Sequence, residues 1–297
     1  MTLNGDLGPT VTQESKLTMT LNHFSNLLGS PSIRTGAIRW EELGYDHHEL
    51  DDLDEPFTTQ EIERVIKEMP TEKAAGSDGF IGIFYKKCWN IIKEDVTQVI
   101  MSFFGNLTSK LHLINTAHIV LLPKTQDAAT LSDYGPISLI IVKIITKLLA
   151  NRLTPHLNDI VSNAQNTFIK KRCIHDNFIY VQRVIQLLHK KRQLALFIKL
   201  DISKPFDSIG WSYLLEVLEV LENLGFSLKW RDWIAALLGS ATSKILINGQ
   251  PTKGIRRERG LRQGDPLSPM LFSLAIDPLQ TYHRNRCEQG NFEPRLT

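Results

Sequence analysis

The stretch Arg259-Gly-Leu-Arg-Gln-Gly-Asp-Pro-Leu-Ser-Pro269 decides the fold more than any other part of the sequence. Its glycines interrupt regular structure, and Asp265-Pro266 is typical of a helix start. Asp accepts backbone hydrogen bonds at an N-cap, and Pro fits the first helical position because it has no N–H to satisfy. The apolar residues that follow, from Leu267 onward, predict a helix that runs into a polar tail.

Two strand predictions lie upstream of this stretch. Lys244–Ile247 and Lys253–Arg257 are joined through Asn248-Gly249, a pair that favours the tight turn of a β-hairpin. Leu194–Ile202 alternates an apolar face with a second face that ends in Asp201, which predicts a buried strand. A lone carboxylate at the end of such a strand is energetically costly, so Asp201 is a candidate functional residue.

Helical patterns fill most of the remaining chain. Thr58 and Glu61 have the spacing of a capping box, and Pro70 ends the helix that they open. A short apolar strand is predicted at His118–Leu122. Further helices are predicted around Phe84–Val96, near 141–153, near 176–191 and at about 207–223, before Gly225.

Asp201 and Asp207 flank the turn between the predicted strand and the next helix. Carboxylates beside basic stretches are typical magnesium ligands in phosphoryl-transfer sites. Aspartates also commonly cap helices that follow strands, and Asp207 has the right position for such an N-cap. The residues alone leave both alternatives open.

The formal net charge of +2 conceals a strong charge asymmetry. Glu41–Glu63 contains ten acidic residues and no Lys or Arg, whereas Lys143–Lys204 contains twelve Lys or Arg against three Asp. A second basic stretch runs from Lys253 to Arg262. Concentrated positive charge suits a phosphate backbone, and solvated helix faces are the plain alternative.

The composition favours an ordinary globular protein, with 42% hydrophobic and 22% charged residues. Cys88, Cys173 and Cys287 are far apart and predict free thiols rather than disulfides or a zinc site. No secretory signal is visible, and the richest apolar stretch, Ile137–Ala150, is too short to span a bilayer. We therefore expect a soluble protein that is not secreted and has no membrane partner.

Five segments resemble, in order, the sequence blocks of non-LTR (long interspersed element) retrotransposon reverse transcriptases. The resemblance covers about residues 56–285, and the last block is unbroken and highly specific. The segments are Lys73–Phe80 with Phe84-Tyr85-Lys86, Leu121–Lys124, Asp133–Leu139, Lys199–Asp207 and Arg259–Pro269.

This resemblance implies an α+β right-hand polymerase with fingers and a partial palm, built of helices and a small antiparallel sheet. It implies RNA-directed DNA polymerisation by two-metal nucleotidyl transfer, with Mg²⁺ as cofactor. An RNA template, a DNA primer and deoxynucleoside triphosphates would be the partners, and protein partners stay unknown. The resemblance further implies an intracellular location, in the nucleus or the cytoplasm.

The resemblance also implies roles for single residues. Asp201 matches the first of three metal-binding aspartates and is the predicted catalytic residue. Phe206 matches the aromatic steric gate that favours deoxynucleotides, although it also suits a core position that anchors the helix. The other predicted nucleotide contacts are Lys124, Gln263 and Gly264, and the predicted template or primer contacts are Arg259 and Arg262.

The sequence departs from the family pattern in ways that favour inactivity. No block that carries the other two aspartates is recognised after Pro269, and we expect the thumb to be missing as well. Gly135 stands where the family has Arg, and Pro205 stands where Ala is usual. The repeated Leu-Glu-Val of residues 215–220 lengthens a helix. We expect little Mg²⁺ binding and no useful polymerisation.

Three regions are predicted: a weakly ordered leader (1–55), a helical extension (56–117) and a C-terminally truncated reverse transcriptase domain (118–297). The alternative function is a non-catalytic nucleic-acid-binding or interaction protein derived from the element.

Overall fold

The structure is a computed structural model of the 297-residue chain. It describes residues 3–5, 8–10, 12–31, 43–72, 79–105, 111–123, 126, 129–131, 134–139, 142–194, 199, 201–202, 204–220 and 224–288. The helices are α1 (Gln13–Leu28), α2 (Thr59–Glu68), α3 (Gly82–Lys87), α4 (Trp89–Phe104), α5 (Leu111–Ile114), α6 (Lys143–Ile160), α7 (Ile174–Lys190), α8 (Pro205–Ser208), α9 (Trp211–Val220), α10 (Leu228–Gly239) and α11 (Ser268–Glu288). The strands are β1 (Leu3–Gly5), β2 (Gly8–Thr10), β3 (Thr116–Pro123), β4 (Tyr134–Leu139), β5 (Thr242–Ile247), β6 (Gln250–Pro251) and β7 (Ile255–Arg256).

The larger sheet has the order β4-β3-β5-β6, and β7 also pairs with β5. β3 and β4 are antiparallel, but β3 and β5 run parallel, with Ile119 opposite Ile245. The prediction of an antiparallel sheet is therefore wrong, because this sheet is mixed. A parallel pair needs a long crossover, and the helices α6 to α10 lie between β3 and β5. The α+β class is confirmed, whereas the division into fingers and palm stays a prediction.

Helix α1 covers one face of this sheet. Side chains along β3 and β5 alternate between buried and half-buried, and the buried set packs on Phe24 and Leu28 of α1. The N-cap Thr12 accepts a hydrogen bond from Ser15 N. This helix was not predicted from the sequence. It lies within residues 1–55, which were predicted to be a weakly ordered leader.

The main core is built by α2, α4, α6, α9, α10 and α11 around Trp230 and Trp233. The predicted capping box of α2 is confirmed, since Thr58 Oγ1 accepts from Glu61 N and Glu61 Oε2 accepts from Thr58 N at 2.8 Å. Arg152 of α6 bonds Glu61 Oε1 at 2.9 Å, which ties α2 to α6. Arg152, whose side chain is 11% exposed, also donates to Glu55 O and Pro56 O, so it joins the acidic stretch before α2 to the core.

Local turn predictions also hold. Asn248 and Gly249 have φ values of 52° and 81°, as the predicted hairpin turn requires.

The helix predicted at about 207–223 is divided into α8 and α9, because Gly210 forms a β-bridge with Arg259. Residues 221–223 lie outside the described chain. The helix predicted around Phe84–Val96 is likewise divided, at Cys88.

The strand predicted at Leu194–Ile202 is not found in the described residues. Leu194 is fully exposed, and Lys199, Asp201 and Ile202 are exposed and lie in no regular element. The predicted burial of Asp201 is therefore wrong. Residues 195–198 and 200 lie outside the described chain.

Candidate functional site

Two segments that are distant in the sequence are joined by main-chain hydrogen bonds. Gly260 N donates to Ile209 O at 2.7 Å, and Leu261 N donates to Phe206 O. Gly210 and Arg259 form an antiparallel bridge, and Trp211 Nε1 donates to Gly260 O at 2.9 Å. We call this pairing of residues 206–211 with residues 259–261 the interlock. It places the predicted gate residue Phe206 beside the Arg259–Pro269 block.

Gly260 lets the two segments approach closely. Its φ is +78°, a left-handed conformation that L side chains rarely adopt. A Cβ there would lie 2.9 Å from Arg257 Nη2 and 3.0 Å from Asp207 O. The interlock therefore requires glycine for two independent reasons, backbone conformation and space.

Asp207 belongs to the interlock, and its side chain is buried in the protein interior. Its side chain is 4% exposed, and the neighbouring Arg257 is 2% exposed. Burial lowers the pKa of the Arg257 guanidinium, and the negative charge of Asp207 opposes that change. Gln263 Nε2 donates to Asp207 Oδ2 at 3.4 Å. The predicted N-cap role of Asp207 is wrong, since Asp207 lies within α8 and the next helix begins only at Trp211.

Arg262, a predicted template contact, is directed into the core and is 8% exposed. Its guanidinium donates to Asn115 Oδ1 and, at 2.8 Å, to Asn115 O. Asn115 in turn donates to Leu237 O at 2.7 Å, so the arginine joins the block to the start of β3 and to α10. In this arrangement Arg262 stabilises the fold, and its contact with a template stays a prediction.

Arg259, the other predicted template contact, is also bonded within the chain. Its Nη2 donates to Asn26 O at 2.7 Å, and its Nε donates to Leu27 O. These carbonyls belong to the last turn of α1, where a cation interacts favourably with the helix dipole. Arg259 therefore fastens α1 to the block.

Asp265 lies three residues before the last helix and not at the predicted N-cap position. Its Oδ1 accepts from Leu267 N at 2.8 Å, although α11 begins at Ser268 rather than at Pro266. Burial raises the pKa of the Asp265 carboxyl. Asp265, Arg257 and Arg262 share the lining of a small cavity of about 40 Å³.

Phe206 is half-buried in an aromatic cluster. Its ring stacks on Phe272 at 5.0 Å and meets the edge of Phe168 at 5.9 Å. These contacts agree with the core alternative for Phe206, and the half-exposed ring remains compatible with a gate. No role was predicted for Phe168 from the sequence.

The remaining predicted residues lie in different surroundings. Gln263 is half-buried, and Gly264 is exposed with φ +88°. Lys124 lies outside the described residues. Hydrogen bonding joins Phe206 to the block that contains Gln263 and Gly264, whereas Asp201 is exposed and lies outside that block.

The described residues do not make a complete magnesium site. Among them no group of three or more His, Cys, Asp or Glu side chains could hold a metal ion. Asp201 offers one exposed carboxylate, and the carboxylate of Asp207 is buried and accepts from Gln263 Nε2. Mg²⁺ dehydrates reluctantly and is held weakly by a single carboxylate.

Helix α7 contrasts with the block because none of its side chains is buried. Large apolar residues are exposed along it, including Phe178 at 71% and Tyr180 at 70%.

Within the described part of the chain, no helix is both long and apolar enough to cross a membrane.

Comparisons with known proteins agree with the block pattern. A profile of the family "Reverse transcriptase (RNA-dependent DNA polymerase)" matches residues 122–292. A "Transposon TX1 uncharacterized 149 kDa protein" of Xenopus laevis is 30% identical over 89% of this chain and 20% of its own length. The "Retrovirus-related Pol polyprotein from type-2 retrotransposable element R2DM" of Drosophila melanogaster is 30% identical over 59% of this chain and 16% of its own length. The chain thus spans about a fifth of these relatives.

Proposed function

Because the chain belongs to the reverse transcriptase family, of the non-LTR retrotransposon type, we propose that its Arg259–Pro269 block and Phe206 form one wall of a pocket for deoxynucleoside triphosphates. The observation that carries the proposal is the interlock, which joins Phe206 to this block by main-chain hydrogen bonds. A wall held in this way is preorganised, so little ordering entropy is lost on binding. An RNA template and a DNA primer would lie beside it.

In this proposal the residues have separate tasks. The exposed edge of Phe206 packs against the sugar, Gln263 and Gly264 contact the nucleotide, and Lys124 approaches the triphosphate. Arg259 and Arg262 support the wall from behind, because their guanidinium groups are bonded to Asn26, Leu27 and Asn115. The exposed cations of residues 183–192 and 253–256 supply attraction to the nucleic acid backbone.

The proposal assigns binding, and not polymerisation, to this chain acting alone. Asp201 is the carboxylate that the resemblance places at the metals, and the described residues form no group of three or more His, Cys, Asp or Glu side chains that could hold a metal ion. The nucleotide and template would therefore be held without efficient extension of a primer.

Binding and extension are tested on one sample. Fluorescence anisotropy with a labelled RNA template and DNA primer is expected to show binding that weakens steeply as salt rises. Primer extension in Mg²⁺ and in Mn²⁺ is expected to stay at the level of an Asp201→Ala variant. Absence of binding would refute the proposed function. Extension that Asp201→Ala abolishes would show that further carboxylates complete the site.

A non-catalytic interaction role is the second candidate, and the exposed apolar face of α7 favours it. Contiguous apolar surface on a soluble chain is typical of contact sites. Light scattering would measure the molar mass of the protein in solution. If the mass rises with concentration and Phe178→Ser removes that rise, the result would favour interaction over nucleotide binding.

A further inference from the structure

We propose that Asp207 is a positioning residue that orients the side-chain amide of Gln263 in the nucleotide pocket, while Arg257 keeps Asp207 charged. The proposal rests on the proposed function, because it assigns the mechanism by which one wall of that pocket keeps its shape. Neither residue was assigned this role by the sequence blocks.

The first step is the charge state of Asp207. A carboxylate that is 4% exposed would be costly if it had no counter-ion. Arg257 is buried beside it and carries the opposite charge. The positive charge of Arg257 favours the ionised form of Asp207, and loss of either residue would leave the other buried without a counter-charge.

The contact with Asp207 also determines which end of the Gln263 side-chain amide faces the protein interior. An ionised carboxylate only accepts hydrogen bonds, whereas an amide has one end that donates and one that accepts. Asp207 Oδ2 therefore selects the orientation in which Nε2 faces it, as observed at 3.4 Å. The carbonyl oxygen of Gln263 is then left for a hydrogen-bond donor of the nucleotide.

The third step is the fixed distance between the two residues. Phe206 O accepts from Leu261 N, and Gly260 packs against the Asp207 backbone. Because main-chain contacts fix both segments, the side-chain contact follows from the fold. Asp207 and Phe206 are adjacent in α8, so one short helix serves both the gate and the amide.

The test follows Gln263 directly, by NMR of protein with ¹⁵N-labelled glutamine side chains. The Gln263 signal is assigned by its loss in Gln263→Glu. In the parent protein its amide protons are expected to exchange slowly with solvent. Asp207→Asn is the simplest variant, but it leaves Arg257 without a counter-ion and so risks unfolding.

The decisive variant is therefore Asp207→Leu combined with Arg257→Met, which replaces the charged pair by apolar side chains of similar volume. The folded double variant is expected to show fast exchange at Gln263 and a dNTP affinity about tenfold lower, the effect of losing one charge-assisted hydrogen bond. Asp232→Leu, a substitution of an exposed aspartate on α10, is the matched control and is expected to change neither.

The Gln263 signal and the dNTP affinity of the double variant together test the proposal. An unchanged Gln263 signal in the folded double variant would overturn the proposal, as would a moved signal with unchanged dNTP affinity. If the parent protein holds Gln263 in place but binds no nucleotide, the proposed function fails and the positioning contact stands.

Discussion

The Arg259–Pro269 block and helix α7 both contain arginine and several apolar residues, yet their side chains have opposite surroundings. In the block, Leu261, Leu267 and Arg262 are 2%, 3% and 8% exposed, and the arginines bond within the chain. In α7 no side chain is buried. Matching a family pattern therefore does not tell which basic residues face a nucleic acid. Here the most family-like arginines support the fold, and the exposed cations lie elsewhere.

The largest expected difference between the two regions comes from removing one arginine from each. Arg262→Met would remove the hydrogen bonds that Asn115 accepts from Arg262 and the positive charge of Arg262 near the buried Asp265. We expect a loss of about 3 kcal/mol in the free energy of unfolding, measured by urea denaturation. Arg183→Met on α7 is the control and should stay within about 0.5 kcal/mol of the parent protein. Equal losses would remove the distinction between the regions.

Substitutions of Gly249 and Gly260 distinguish the cost of backbone strain from the cost of steric crowding. Gly260 and Gly249 have similar φ values, +78° and +81°, but a Cβ would be crowded only at Gly260. Gly249→Ala should cost about 1 kcal/mol through the left-handed conformation alone. Gly260→Ala should cost about 1–2 kcal/mol more, as an overpacked site does. Thermal unfolding of both variants measures the difference, and equal shifts would show that the interlock is loosely packed.

A smaller effect on stability is expected from the protonation of His118 in strand β3. Burial, and then the charge of Lys244 on β5, lower the pKa of His118 below its ordinary value of 6.5. Protonation therefore favours the unfolded chain, and stability should fall as the pH falls from above 6.5 towards the lower folded pKa. His118 is partly exposed, so solvent screening limits the effect to about 0.5 kcal/mol. Urea unfolding between neutral and mildly acidic pH measures it. His118→Gln should flatten the pH dependence, whereas Thr116→Val on the same strand should not.

The smallest expected effect is on α7. Phe178 is 71% exposed, so Phe178→Ser should change the free energy of unfolding by less than about 0.5 kcal/mol. Phe272→Ser, at a residue 9% exposed in the aromatic cluster, should cost about 3 kcal/mol. Urea unfolding compares the two. A large loss for Phe178→Ser would show that α7 packs against another part of the chain.

Local sequence signals predicted local structure well. The capping box of Thr58 and Glu61 and the turn at Asn248-Gly249 depend on neighbouring residues only, and both are confirmed. Long-range pairing was not predictable in this way. Helix α1 has an apolar face that packs on β3 and β5, whose residues lie far along the chain, and the parallel register of those strands has no local signature.

The candidate site was predicted in part for the same reason. The block pattern identified Phe206, Gln263 and Gly264, which lie together. It did not reveal the orientation of Asp207, which depends on Arg257 and on the space left by Gly260. A single aspartate after an apolar stretch suits a strand end, an N-cap and a buried ion pair equally well, and only the fold decides among them.

Hydrogen–deuterium exchange, read by mass spectrometry, tests the central claim that the block is part of the core and α7 is not. Main-chain amides of the interlock, such as Gly260 N and Leu261 N, are bonded within buried surroundings and should exchange only when the whole protein unfolds. Peptides from residues 174–190 should exchange much faster through local opening, because no buried side chain holds that helix. Equal protection of the two regions, or slower exchange in α7, would contradict the account.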